Sequence, residues 1–161
     1  MRRKDRAVID QEEILKIISK CDICRLAMVD GGKPYMIPLN FGYAMDKDTL
    51  TLVFHSAKVG RKVEALHLNP EVCFEMDCEH ALIEGAFACD YSFAFSSVLG
   101  FGNVEFIYPY EEKRNALQLL MKHQTGQDAF HFSPQQIDNV TLMKIITKDF
   151  TAKRKPGKPQ L

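Results

Sequence analysis

The sequence predicts a mainly β chain, a six-stranded antiparallel barrel with helices packed on its outside. Three observations carry this. Apolar residues alternate with period 2 in several short runs, among them Ile37, Leu39, Phe41 and Tyr43, and then Leu50, Leu52 and Phe54. Turn clusters at Asp30-Gly31-Gly32 and Asp46-Lys47-Asp48 are placed to join such runs as hairpins. Helical periodicity is confined to three segments between the strands. Short hairpin-linked strands close most easily into a small barrel, which removes exposed edges. An open α+β sandwich is the alternative.

The elements follow in order. Residues 1–9 form a basic arm. Asp10 caps a helix over 11–20, with Glu12 and Glu13 in its first turn and Ile14, Leu15, Ile17 and Ile18 as its apolar stripe. A strand over 23–29 turns through the glycines into an extended stretch over 34–43, where Pro34 and Pro38 disfavour helix. The strand ending at Phe54 runs into a cationic loop. A helix over 59–68 follows and stops at Asn69-Pro70. A strand starts at Val72 and continues with a kink through Ile83, while 85–95 fits no single element. A long strand over 93–107 contains Gly100 and Gly102, which mark a bend or a close backbone approach. Tyr110 starts an amphipathic helix that Gly126 closes. Ser133-Pro134 can open a short helix in the connection over 127–139, and a last strand spans 141–147. The polar tail TAKRKPGKPQL reads as loose, with 154–161 outside the folded part. No repeat or linker divides the chain, so 1–161 reads as one domain.

Composition narrows the function classes. At 161 residues with 46% hydrophobic and 26% charged content, the chain can bury a sizeable core and is not a disordered segment. Lys+Arg and Asp+Glu both number 21, so no global charge favours nucleic acid, and functional electrostatics must be local. No apolar run is long enough to span a membrane, and no secretory signal opens the chain, so a cytoplasmic location is expected. Five cysteines are an odd set for a disulfide framework. Cys21-x-x-Cys24 lies where a helix ends and a strand begins, whereas a redox pair normally sits at a helix start, and no second close pair completes a zinc site. These cysteines read as small buried hydrophobes, and no metal site is expected.

The strongest local constellation is His55-Ser56-Ala57-Lys58-Val59-Gly60-Arg61-Lys62, at a strand-to-helix junction. Free backbone N–H groups and the helix dipole favour an anion there. Arg61 offers a bidentate fork, Lys62 a mobile point charge and Ser56 a hydroxyl, which together make a phosphate site. The plainer reading is a solvated turn with surface cations. Ser96-Ser97-Val98 could add hydroxyl contacts or be a strand bend. Ile37-Pro38-Leu39-Asn40 could present backbone groups to a flat polar ring or be an edge strand. His55 is a candidate proton donor or orienting group, against the commoner structural histidine. No Ser-His-Asp or paired-carboxylate spacing supports a hydrolase.

Four stretches in register, PYMIPLNFGY, FHSAKVGRKVEALHLNPEVCFE, FSSVLGFGNVEFI and EEKRNALQLLMKH, resemble the pyridoxamine-5′-phosphate-oxidase-like flavin proteins. The opening R-x-x-R-A-V-I-D-x-E-E-I is similar to the nitroimidazole-resistance branch of that family. The resemblance spans Arg3 to about Lys153. It implies an FMN-binding split barrel and a homodimer with flavin, FMN or else FAD, at the subunit interface. It implies that His55, Ser56, Gly60, Arg61 and Lys62 hold the flavin phosphate, with Ser96, Ser97 and Val98 contributing, and that Ile37, Pro38, Leu39 and Asn40 lie along the isoalloxazine. The implied chemistry is flavin-dependent reduction of a small electrophile such as a nitroimidazole nitro group, with electrons from a reduced nicotinamide or a reductase partner. The tail does not resemble the arginine-rich ending of the vitamin-B6 oxidases, so pyridoxamine phosphate is not the expected substrate. The rival implications are a non-catalytic flavin-binding or storage protein and a haem-binding barrel.

Overall fold

The computed structural model describes residues 3–157. The Asp10 carboxylate accepts the Glu13 N–H at 2.9 Å and so opens helix α1 (Gln11–Ser19), which buries Ile14, Ile17 and Ile18. Strands β2 (Cys24–Asp30) and β3 (Lys33–Leu39) form a hairpin through Gly31 and Gly32, both at positive φ. The extended stretch expected over 34–43 is two strands, because β4 (Phe41–Asp46) starts after a break at Asn40. β4 pairs with β5 (Thr49–Ser56), and the chain continues through α2 (Arg61–Leu68), β6 (Glu71–Ile83) and β7 (Ser92–Ile107). After α3 (Tyr110–Thr125) and α4 (Pro134–Asp138), β8 (Thr141–Thr147) completes the sheet order β3-β2-β6-β7-β8-β5-β4, in which every pair is antiparallel.

β3 and β4 are the two ends of that path, yet Asn40 alone joins them. The sheet must therefore curl until its ends meet, and they meet without pairing. This is a barrel with a split between β3 and β4. The corner is pinned by side chains: Asn40 Nδ2 donates to the Asp22 carbonyl at 3.2 Å and to Gln124 Oε1 at 2.9 Å, and Gln124 donates to the Phe41 carbonyl at 3.2 Å.

β7 pairs along one edge with β6. Its other edge meets β9 (Phe150–Lys155) over Phe95–Gly100, then β8 over Val104–Ile107. Where the partner changes, the link from β8 to β9 crosses close by, with the Phe101 N–H donating to the Asp149 carbonyl at 2.9 Å. A Cβ at Gly100 would lie 2.7 Å from that same carbonyl oxygen, which is the close approach the two glycines foretell. The kink expected in 72–83 is a β-bulge between Cys78 and Ala81, with Glu79 at a left-handed φ of 60°.

Among the described residues nine strands form, where six were expected. The tail supplies one of the extra strands: β9 pairs with β7, and the short β1 (Ala7–Val8), from the basic arm, pairs with β9. Its sequence hides this because only Ala152 is buried, so the strand is held by its ladder and not by an apolar face. Residues 1–2 of the arm and 158–161 of the tail lie outside the described residues. α2 begins at Arg61 rather than Val59, since Gly60 has a φ of 138°. No helix among the described residues is long and apolar enough to cross a membrane.

The core has two parts. One fills the barrel, where Leu26, Phe41, Leu52, Phe54, Phe74 and Met76 meet the apolar stripe of α1. The other lies outside the sheet, where Val53, Ile107 and Leu142 meet Ala116, Leu117 and Leu120 of α3. Gly42 allows that second contact, because a Cβ there would lie 2.4 Å from the backbone nitrogen of Leu120. A helix backbone cannot yield as a side-chain tip can. Gly42→Ala is therefore expected to destabilise the fold by about 1–3 kcal/mol, read as a lower urea midpoint at unchanged slope. An unchanged midpoint would show that α3 does not pack this closely.

Candidate functional site

The end of β5 sorts its side chains by parity. Leu50, Leu52, Phe54 and Ser56 point into the barrel, while His55 lies on the other side and is exposed. Ser56 is 5% exposed, and its hydroxyl has no hydrogen-bond partner among the described residues. A buried hydroxyl without a partner is costly in an apolar core and calls for an explanation. Four residues on, Gly60 is the N-cap of α2 and supplies no side-chain cap. The Val63 and Glu64 N–H groups return to the Gly60 carbonyl, at 2.9 and 3.1 Å. The helix thus begins with an uncapped, positive dipole end carrying Arg61 and Lys62.

Arg61 links this end to the β2–β3 hairpin. Its Nε donates to Asp30 Oδ2 at 2.6 Å, and its guanidinium lies 4.2 Å above the centre of the Tyr35 ring. The junction at 55–62 and strand β3 are therefore neighbours. β3 is an edge strand, which suits its prolines, as neither Pro34 nor Pro38 can donate to a ladder. Ile37 and Leu39 pack against the barrel core, Pro38 is exposed, and the amide of Asn40 is engaged at the corner.

Ser96-Ser97-Val98 has different surroundings. Ser96 is fully buried, donates to Glu79 Oε2 at 2.6 Å and accepts from Arg154 Nε at 3.1 Å. Arg154 also donates to Glu13 Oε2 at 2.7 Å, and Lys20 pairs with Glu79. The paired cations hold Glu13 down to about 2 and lower Glu79 as well. Val98 fills the core, and Ser97 alone of the three is half-buried and unassigned. This network ties α1, the β6 bulge and β9 together with its polar groups already satisfied.

Sequence reasoning missed Asp30 and Tyr35. Asp30 registers only as a turn residue, and nothing local places it against a cation 31 positions along the chain. Burial pushes the Cys24 thiol up to about 12 and raises Cys21 too, the opposite of what a reactive pair needs. Among the described residues no group of three or more His, Cys, Asp and Glu could hold a metal ion. A groove of about 760 Å³ lies on the outer face of the sheet and is lined in part by Ala27, Val29, Pro34, Cys73, Phe101 and Ile146. None of the candidate site residues proposed from the sequence lines it.

The profile described as pyridoxamine 5′-phosphate oxidase matches residues 10–154 of the chain. The chain belongs to the pyridoxamine 5′-phosphate oxidase family. A solved structure from Bacteroides thetaiotaomicron, described as a candidate 5-nitroimidazole antibiotic resistance protein, is 37% identical, with 92% of this chain and 86% of that chain covered and a TM-score of 0.80. Two others show the split-barrel fold at lower identity. A flavocytochrome from Azotobacter vinelandii is 19% identical, covering 100% of this chain and 74% of that one, with a TM-score of 0.80. An FAD- and haem-binding protein from Mycobacterium smegmatis is 18% identical, covering 97% and 76%, with a TM-score of 0.81. No curated protein matches the chain.

Proposed function

We propose that this protein is a flavin-nucleotide-dependent oxidoreductase that reduces a small electrophile such as an aromatic nitro group. FMN is the proposed cofactor, with FAD as the larger alternative, and the electrons come from a reduced nicotinamide or a reductase partner. The observation that carries this reading is the uncapped α2 terminus with Arg61 and Lys62, which follows closely in sequence on the orphaned Ser56 hydroxyl. A phosphate fits that donor set, for it brings acceptor oxygens and negative charge to free N–H groups, two cations and an unsatisfied O–H. β3 supports the same reading, because an unpaired strand edge can present backbone N–H and C=O groups to the polar rim of a flat ring. Once bound, a flavin supplies the electron-transfer chemistry that no side chain here offers. The chain's own work is to hold the phosphate, orient the ring along Ile37–Asn40 and exclude water. His55, exposed one residue before Ser56, is the proposed proton donor. The nitroimidazole-resistance description of the Bacteroides protein supports the substrate class.

The active unit we propose is a homodimer with flavin at the interface. Its support is the apolar outer sheet face, where Phe101 (50% exposed), Val29 (47%) and Ile146 (48%) line the groove and Met36 (59%) stands in register with Ala27 of its wall. Contiguous apolar surface of this kind marks an interaction site, and a second copy covers it symmetrically.

Three experiments test these readings. Arg61→Ala with Lys62→Ala should keep the fold and weaken FMN binding at least about tenfold, since each charge-assisted bond to phosphate contributes about 1.5–3 kcal/mol. Unchanged affinity would remove the phosphate clamp. With the wild type, flavin bands that NADH or NADPH bleaches, and that a nitroimidazole restores, support the reductase. Unbleached bands favour a flavin binder, and a Soret band in place of flavin absorbance favours haem. The third is Phe101→Glu, which should sediment as a monomer and purify with little flavin. A flavin-loaded monomer would contradict the interface.

A further inference from the structure

Arg61 is a long side chain, 60% exposed, on the first turn of a helix. Such a side chain ordinarily samples many rotamers and binds a ligand only after losing that freedom. Here two contacts restrain it. The Asp30 carboxylate takes the Nε–H at 2.6 Å, and the Tyr35 ring lies against the guanidinium plane at 4.2 Å. A guanidinium has five N–H donors, and the hydrogen bond to Asp30 uses the one on Nε. The two Nη groups, which form the fork that grips a phosphate, have no hydrogen-bond partner among the described residues.

We propose that Asp30 and Tyr35 are positioning residues for the cofactor phosphate: they fix the Arg61 guanidinium by its Nε and its face and leave its Nη edge for a phosphate monoester. The inference rests on the flavin-nucleotide reading above and adds to it a basis for preferring phosphorylated flavins over riboflavin. The hairpin is suited to the task. Gly31 and Gly32 turn the chain tightly, so that Asp30 at the end of β2 and Tyr35 on β3 both reach the same side chain. The alternative chemistry has the opposite sign. A carboxylate 2.6 Å from Arg61 could instead compete with phosphate for it, and removing the carboxylate would then tighten binding.

The test measures dissociation constants for FMN and for riboflavin, by flavin fluorescence quenching, on the full chain. Asp30→Asn keeps the turn chemistry and removes the charge, while Tyr35→Leu removes the ring face and Tyr35→Phe keeps it. Asp30→Asn and Tyr35→Leu should each weaken FMN about three- to tenfold and leave riboflavin within about twofold, with Tyr35→Phe like the wild type. Tighter FMN binding by Asp30→Asn would overturn the proposal in favour of competition. Equal losses for FMN and riboflavin would overturn it in favour of a general structural role. Arg61→Ala separates this inference from the reading beneath it. If Arg61→Ala leaves the FMN-to-riboflavin ratio unchanged, the clamp itself fails. If Arg61→Ala collapses the ratio while Asp30→Asn and Tyr35→Leu do not, only the positioning role fails.

Discussion

A single residue, Asn40, separates the first strand of the sheet path from the last, and much of the architecture follows from that constraint. A linker of one residue cannot span an open sheet, so the sheet has to roll up. The ends that meet at the corner belong to different ladders and do not pair, which leaves β3 with an unpaired edge. The barrel therefore closes by covalent connection and by side chains. Asn40 and Gln124 bond across the corner, and α3 presses on Gly42 from outside. A fold closed this way retains an edge that a ladder would otherwise consume, on the strand that carries Tyr35.

The polar groups divide into those already satisfied and those left waiting. Ser96, Glu79, Arg154, Glu13 and Lys20 form a network with several mutual partners, and it fastens α1 and β9 to the barrel. Ser56 is the contrasting case, with a buried hydroxyl and no partner among the described residues, close in sequence to an uncapped helix that starts with two cations. In a chain whose fixed charges sum to zero, a local cluster of this kind stands out by placement and not by number. The first set is scaffolding, and the second is the set proposed to bind ligand.

Much of this was legible in the sequence, for identifiable reasons. The capped start of α1, the glycine hairpin at 31–32, the crowded glycines of β7 and the end of α3 at Gly126 are local signals, each set by a few adjacent residues. The β9 strand was not legible, because its polar TAKRK is ordered by pairing with β7 rather than by its own pattern. The break at Asn40 was hidden because the alternation of apolar residues continues across it. The site followed the same rule. The junction at 55–62 is contiguous and readable, whereas Asp30 and Tyr35 reach Arg61 only through the tertiary fold.

The phosphate clamp on α2 is the central claim, and phosphorus NMR of FMN titrated with the protein tests it most directly. The account predicts a bound resonance, shifted and broadened relative to free FMN, that saturates at one flavin per chain. A phosphate signal that stays at its free position while the isoalloxazine fluorescence is quenched would contradict it, placing the ring on the protein and the phosphate in solvent.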